Sequence, residues 1–396
     1  MQTLIQNLIA SGAFGKNPPS GLVAAIVVFV MSLVVFLVVA IPFAGIVTWV
    51  ERRVWARIQS RVGPNRVGPQ GFLQWVADGV KNILKEDIVP DQADARLFKL
   101  APYLVMLAFA LPWAVVPFSS SLILADLNVG ILYMTAVTAL TVVGMLMAGW
   151  GSNDKWSLIG GVRSAAQIVS YEIPAGLSIF PVVLMTGTLS MQGIIRGQGW
   201  APQHWFLFAN PFTFVAANIL YMSSLAEANR TPFDLPEADS ELVAGFATEY
   251  SGWRYAIFFM AEWGNLFIVG AIITTLFLGG WQFPHVTNNL VAMNVLEVIT
   301  FVVKVLFLVF VSMWIRATLP RVRIDQLMTA CWKYFVPIAF VNMIGTAVWV
   351  AIWPDGNVAT GYIMFAAAIV FGAVFIRRVI YYLRRSGMEV YLNPAI

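Results

Sequence analysis

Between Leu225 and Tyr250 the chain reads LAEANRTPFDLPEADSELVAGFATEY, which holds six carboxylates: Glu227, Asp234, Glu237, Asp239, Glu241 and Glu249. Anionic groups this close repel one another, and beside lipid they are poorly hydrated, which drives their proton affinities upward and apart. Chemistry of that kind holds and passes protons. A solvated acidic face is the plainer use of the same residues, yet a mere linker between two apolar segments needs none of them.

Three further acids, Glu172, Glu262 and Glu297, fall inside apolar segments. An ionisable group in hydrocarbon costs roughly 2.5–3.5 kcal/mol on insertion scales and marks a functional site by default. Glu172 and Glu262 are shallow and point back toward the acidic loop. Glu297 lies near the opposite surface and reads as an ordinary interfacial residue. Lys304 is mid-segment and must be paired or hydrated. Arg230 and Arg254 are the cations nearest the acidic loop in sequence.

Metal and redox chemistry have little to stand on. Cys331 is the one cysteine, and His204 and His285 are the two histidines. Iron–sulfur clusters take about four thiolates, and two histidines in separate loops do not suit a bis-His haem. The chain is therefore expected to bind no metal and no redox cofactor itself. Cys331 reads as an inert thiol in a short loop.

The elements that must position these acids are membrane helices. The chain has 396 residues, 59% hydrophobic and only 11% charged, with a mean hydropathy of +0.78; soluble proteins carry about 25% charged residues. Nine stretches can cross about 30 Å of hydrocarbon: 22–49, 101–118, 129–150, 165–189, 205–225, 255–279, 295–315, 334–353 and 358–376. No signal peptide is expected before them. The connections alternate between two sides, and one side receives 21 of the 24 basic residues. The positive-inside rule then predicts an external N-terminus and a cytoplasmic C-terminus. The net charge of +4 reflects this asymmetry and not nucleic-acid binding. The fold class is an all-α polytopic bundle with amphipathic cytoplasmic helices.

After the first span comes ERRVWARIQSRVGPNRVGPQG. Its arginines suit lipid-headgroup anchoring, while the doubled RVGP enforces a stiff non-helical turn fit for framing a pocket. Phe72–Lys85 is amphipathic and too charged to span, so it is expected to lie flat. Asp234 and Glu237 form a D-x-x-E capping pattern around Pro236, which predicts a helix from Leu235 into Phe246.

At these residues the chain resembles the membrane subunit of respiratory complex I, the proton-pumping NADH:quinone oxidoreductase, that joins the hydrophilic arm and encloses the quinone chamber (the H subunit in bacteria, subunit 1 in mitochondria). The matching stretches are ERRVWARIQSRVGPNRVGPQGFLQWVADGVKNILKED, GWGSNDKWSLIGGVRSAAQIVSYEIP, LAEANRTPFDLPEADSELVAGFATEYSGWRYAIFFMAEW and MWIRATLPRVRIDQLMTACWK, spread to about Trp353. The resemblance implies a quinone channel containing Arg52, Phe259 and Arg316. It also implies a proton-linked chain of Glu172, Glu227, Asp234, Glu237, Glu241, Glu249 and Glu262, with Lys81, Arg163 and Arg230 as charge partners.

Further implied are quinone as substrate, FMN and iron–sulfur clusters in partner subunits, and a place in a bacterial inner membrane. The implied partners are hydrophilic quinone-site and cluster-bearing subunits, small membrane subunits and antiporter-like subunits, besides membrane lipids. Two departures keep the pattern's sense: LAEANR carries Ala228 where Thr is usual, and Asp239 stands where Glu is common. The family generally has eight spans, so residues 1–353 read as the shared domain and 354–396 as an added span with a basic tail. Two other functions compete. The corresponding subunit of a membrane-bound hydrogenase, or of a quinone reductase fed by another donor, is set back in the first case by Arg52, Phe259 and Arg316. A stand-alone proton or cation transporter predicts inverted repeats with broken mid-membrane helices, whereas here the ionisable residues gather on one surface.

Overall fold

The computed structural model describes residues 30, 33–34, 36–236, 239–284, 286, 289–354 and 357–385, and no strand occurs among them. Helix α1 (Ile41–Ile58) follows a π-helical stretch at Phe36–Ala40; residues 22–29 of the expected first span lie outside the described residues. Then come α2 (Gln74–Leu84), α3 (Ala95–Ala110), α4 (Gly130–Thr138), α5 (Leu140–Gly151), α6 (Lys155–Thr186), α7 (Met191–Arg196), α8 (Phe206–Ala209) and α9 (Pro211–Glu227). The remainder are α10 (Asp239–Leu242), α11 (Gly252–Phe277), α12 (Leu290–Thr318), α13 (Ile324–Thr329), α14 (Val336–Ile352) and α15 (Val358–Arg385).

Seven described helical stretches are long and apolar enough to cross a membrane. They correspond to the expected spans other than the first and fifth. The fifth, α9, has 17 residues, a rise of about 26 Å, and only the short α8 extends it beyond the break at Asn210. The second span begins earlier than expected because Asp94 caps it, accepting from the amides of Arg96 and Leu97.

Helix α11 is the axis of the bundle. Its apolar window is 78% buried, against at most 50% for any other described span, and it packs on α1, α2, α3, α9 and α12. A helix apolar on all sides belongs at such a centre.

Proline inside a helix frees the carbonyl four residues earlier. In α6, Pro174 frees Ser170 O, and the Cys331 thiol donates to that oxygen at 3.0 Å. Cys331 is therefore not a loop thiol: it is fully buried in a π-helical stretch, Ala330–Phe335, that leads from α13 into α14. The wider π turn presents it to α6 two residues from Glu172.

The acidic loop is folded differently from its sequence pattern. In place of one helix from Leu235 into Phe246 there is a single turn at Asp239–Leu242, then a 3-10 turn at Gly245–Ala247. Val243 interrupts them with a φ of 65°, a left-handed conformation that no β-branched residue adopts inside a helix. Glu237, the second half of the expected cap, lies outside the described residues, as does His285. Gln167 of α6 pins the loop from beneath: its Nε2 is 2.7 Å from Ala226 O, 2.8 Å from Phe233 O and 3.1 Å from Asn229 Oδ1. At Gly160 a Cβ would lie 2.6 Å from the Phe246 amide nitrogen, so only glycine lets the loop sit this close to α6.

Candidate functional site

Glu51, just past the middle of α1, is the deepest carboxylate of a cluster assembled from four elements. Its side chain is 4% exposed; Oε1 accepts from Arg316 Nη1 at 2.5 Å, and Oε2 is 3.8 Å from Arg230 Nη1. Arg230 Nε in turn lies 3.5 Å from Glu262 Oε1 on α11. Its guanidinium carbon stands 3.9 Å over the Trp263 ring, and Arg316 faces the rings of Trp55 and Trp263 at 4.9 and 5.5 Å. A buried guanidinium is tolerable only when its charge is matched. Here two carboxylates and an aromatic face match Arg230, although none of its three nitrogens makes a direct hydrogen bond.

A third carboxylate joins from the loop. Asp234 Oδ2 accepts from Arg321 Nη2 at 3.1 Å. Burial pushes the Asp234 carboxyl above its ordinary value, and the Arg321, Arg316 and Arg230 guanidiniums pull against that rise. Glu51, Asp234 and Glu262 thus face Arg230, Arg316 and Arg321, three carboxyl groups against three guanidiniums. Small shifts of one charge are felt by all of them.

From Glu262 the acids continue through space as well as along the chain. A void of about 20 Å³ lies between Glu262 and Glu227, bordered also by Asn229, Asn265 and Met145. That is room for one water, which needs about 10–15 Å³ and polar partners. Glu227 is shared with a second, larger cavity of about 270 Å³, lined also by Glu172, Thr138 and Ser224. Glu262, Glu227 and Glu172 are therefore strung along two cavities with Glu227 common to both.

The other expected residues divide by position. Arg163 Nη1 pairs with Glu241 Oε2 at 2.6 Å, with Glu241 about half exposed, on the rim where α6 begins. Glu249 is half-buried and belongs to none of these pairs. Arg52 binds Asp78 at 2.6 Å and so clips α1 to α2; Gly45 makes room there for the Trp75 ring. As expected, α2 does not span, but its apolar edge stays open: Val67, Leu73, Val76, Val80, Leu84 and the exposed Lys81 border a groove of about 500 Å³. Phe259 packs in an aromatic row between Tyr255 and Trp263, at 6.2 and 5.6 Å. Among the described residues no group of three His, Cys, Asp or Glu is arranged to hold a metal ion.

A family model described as NADH dehydrogenase matches residues 30–347. The H subunit of the NADH-quinone oxidoreductase of Anaeromyxobacter dehalogenans is 53% identical over 352 residues, covering 84% of this chain and 85% of its own length. That of Chlorobaculum tepidum is 49% identical, covering 76% and 86%, and that of Dehalococcoides mccartyi strain CBDB1 is 45% identical, covering 88% and 95%. The chain belongs to the family of NADH-quinone oxidoreductase H subunits. Its seven described long apolar helices and its family make it an integral membrane protein, and α15 lies beyond the residues that the family model matches.

Sequence reasoning missed two members of the cluster, Glu51 and Arg321. Glu51 carried a weak signal, an acid at the end of an apolar stretch, which the two arginines after it obscure. Arg321 carried none, because its pairing with Asp234 exists only once the loop has folded back. Two further ionisable residues have their partners shown. Glu297 is buried, 5% exposed, and accepts from both the amide and the hydroxyl of Ser120 at 2.8 Å. It ties down the 115–125 segment through Ser120. Lys304 is paired with backbone, donating to Leu278 O and Gly280 O at 2.7 and 2.9 Å over the Trp205 ring.

Proposed function

We propose that this chain encloses the quinone chamber of a proton-pumping NADH:quinone oxidoreductase and passes the charge change of quinone reduction into partner membrane subunits. The observation that carries the reading is the Glu51–Arg316 pair, which joins an expected channel residue to the first acid of the string that continues through Glu262, Glu227 and Glu172. The quinone takes two electrons from an iron–sulfur cluster of a partner subunit and two protons, giving the quinol. Until the protons arrive it is an anion beside Arg316 and Arg230. An anion there competes with Glu51 and Glu262 for both guanidiniums, and a carboxylate that loses its cation gains affinity for a proton. The water-sized void then supplies the step to Glu227, and the larger cavity the step to Glu172.

In this reading Arg52, Phe259 and Arg316 line the quinone path. Glu172, Glu227, Asp234, Glu237, Glu241, Glu249 and Glu262 form the relay, with Lys81, Arg163 and Arg230 balancing charge. The open apolar groove beside α2 supports admission of a hydrophobic quinone from the bilayer. The relay rim lies on the cytoplasmic side of a bacterial inner membrane, with the N-terminus outside. FMN and the iron–sulfur clusters reside in hydrophilic partners, and small and antiporter-like membrane subunits receive the proton signal.

The test is mild-detergent purification of the complex through a tag on the C-terminal tail. Co-purifying flavin and iron–sulfur subunits with NADH-driven quinone reduction are expected. Recovery of a lone chain that transports protons or cations by itself would overturn the proposal.

A further inference from the structure

Helix α15 follows α14 by only a few residues, yet it does not lie along it. Its outer half packs on α8 and the turn Pro202–His204, where Tyr362 meets His204 and Phe365 meets Phe208, at ring separations of 6.4 and 5.4 Å. At its other end Phe375 meets Trp314 of α12 at 6.5 Å. Between these contacts Ile369, Val370, Phe371 and Val374 are exposed, and only 6% of the helix's apolar window is buried. On α14, Val341, Ile344 and Val348 are exposed as well. Two consecutive spans therefore keep apolar surface open.

Where the two helices converge, at the end of the bundle opposite the acid–arginine cluster, there is a cavity of about 390 Å³. Thr186, Gln203, His204 and Asn357 supply its polar groups, and Trp349 and Trp353, 4.5 Å apart, its aromatic wall. Among the described residues no Asp, Glu, Lys or Arg lines it. The volume falls in the range of small-molecule sites, about 300–1,000 Å³, and tryptophans at a span's end mark the headgroup level of a bilayer. An anionic headgroup in such a pocket would lack a counter-charge. A zwitterionic one brings its own, and needs only the hydrogen-bonding groups present.

We propose that this cavity seats the headgroup of a single zwitterionic glycerophospholipid whose acyl chains cover the apolar faces of α14 and α15. The lipid is then a structural filler that holds α15 to the bundle at its outer end. The site is independent of the quinone and proton reading, since none of its residues belongs to the relay.

The test uses the whole complex, carried through exhaustive detergent exchange, with bound lipids and quinones quantified by mass spectrometry. Ala209→Trp and Val350→Trp fill the cavity from different walls. The expected result is that the wild-type complex retains a zwitterionic phospholipid that both variants lose, with NADH-driven quinone reduction unchanged. Equal retention in all three, loss of an anionic lipid instead, or loss of quinone instead would overturn the proposal. If neither variant assembles, a chain ending at Trp353 removes the α15 wall, and retention of the lipid there overturns it equally.

Discussion

Glu51 and Arg316 stand 265 residues apart in the chain and meet at 2.5 Å where only 4% of the glutamate side chain is exposed. Removing one partner of such a pair leaves the other as an unmatched buried charge, at a typical cost of about 3–5 kcal/mol. Glu51→Ala is therefore expected to destabilise the subunit by that order, read from the detergent-denaturant midpoint of the complex. Glu51→Ala combined with Arg316→Met should recover much of the loss in stability while quinone reduction stays low. Full activity in the double variant would contradict a role for the pair in the chamber.

Arg163 and Glu241 form the contrasting case. Their pair is nearly as short, 2.6 Å, but partly exposed, and exposed pairs contribute about 0.2–1 kcal/mol. Glu241→Gln should lower turnover while leaving assembly intact, and by less than Glu227→Gln does under the same assay. A fully active Glu241→Gln complex would remove that residue from the relay.

The sign of a pH effect follows from Asp234. Burial raises its pKa and Arg321 opposes the rise, so Arg321→Gln removes an attraction that favours the ionised form. The pKa then rises further, and protonation on acidification sets in at higher pH. The acidic limb of the pH–rate profile for quinone reduction should move to higher pH in Arg321→Gln. A limb that stays in place or moves to lower pH would count against Asp234 acting in ionised form.

Cys331 and Pro174 give a test of the fold alone. Cys331→Ala strips the donor from Ser170 O, a buried carbonyl whose loss of its partner costs about 1–3 kcal/mol, toward the low end for a weak thiol donor. Pro174→Ala restores an amide to the same carbonyl, so Cys331→Ala should cost less in that background. Equal cost in both backgrounds would show that packing, and not this bond, explains the effect.

The helical spans and the amphipathic α2 were legible because hydrophobic length and period are local properties. Glu172, Glu227 and Glu262 were legible for the same reason: each stands out against apolar neighbours. What the sequence could not yield was pairing across the bundle. Arg321 meets Asp234 because the loop folds back onto the segment before α13, and Cys331 meets Ser170 because a π turn redirects it. The misread helix at Leu235–Phe246 has a local cause: a capping pattern describes how a helix starts, and Val243 decides where it stops. Glu51 was hidden by its neighbours, since Arg52 and Arg53 suggest an interfacial site while the preceding residue turns inward.

Everything proposed for the relay passes through Glu227, the one acid common to both cavities. The most direct measurement is therefore the Glu227→Gln complex reconstituted in sealed vesicles, with NADH-driven quinone reduction and vesicle acidification recorded together. A glutamine cannot take up or release a proton, and losing a proton-transfer group costs about 100-fold or more. The expected result is that acidification falls by about that factor and quinone reduction falls with it, in a complex that still assembles with its full set of subunits. Wild-type rates of both would contradict the account.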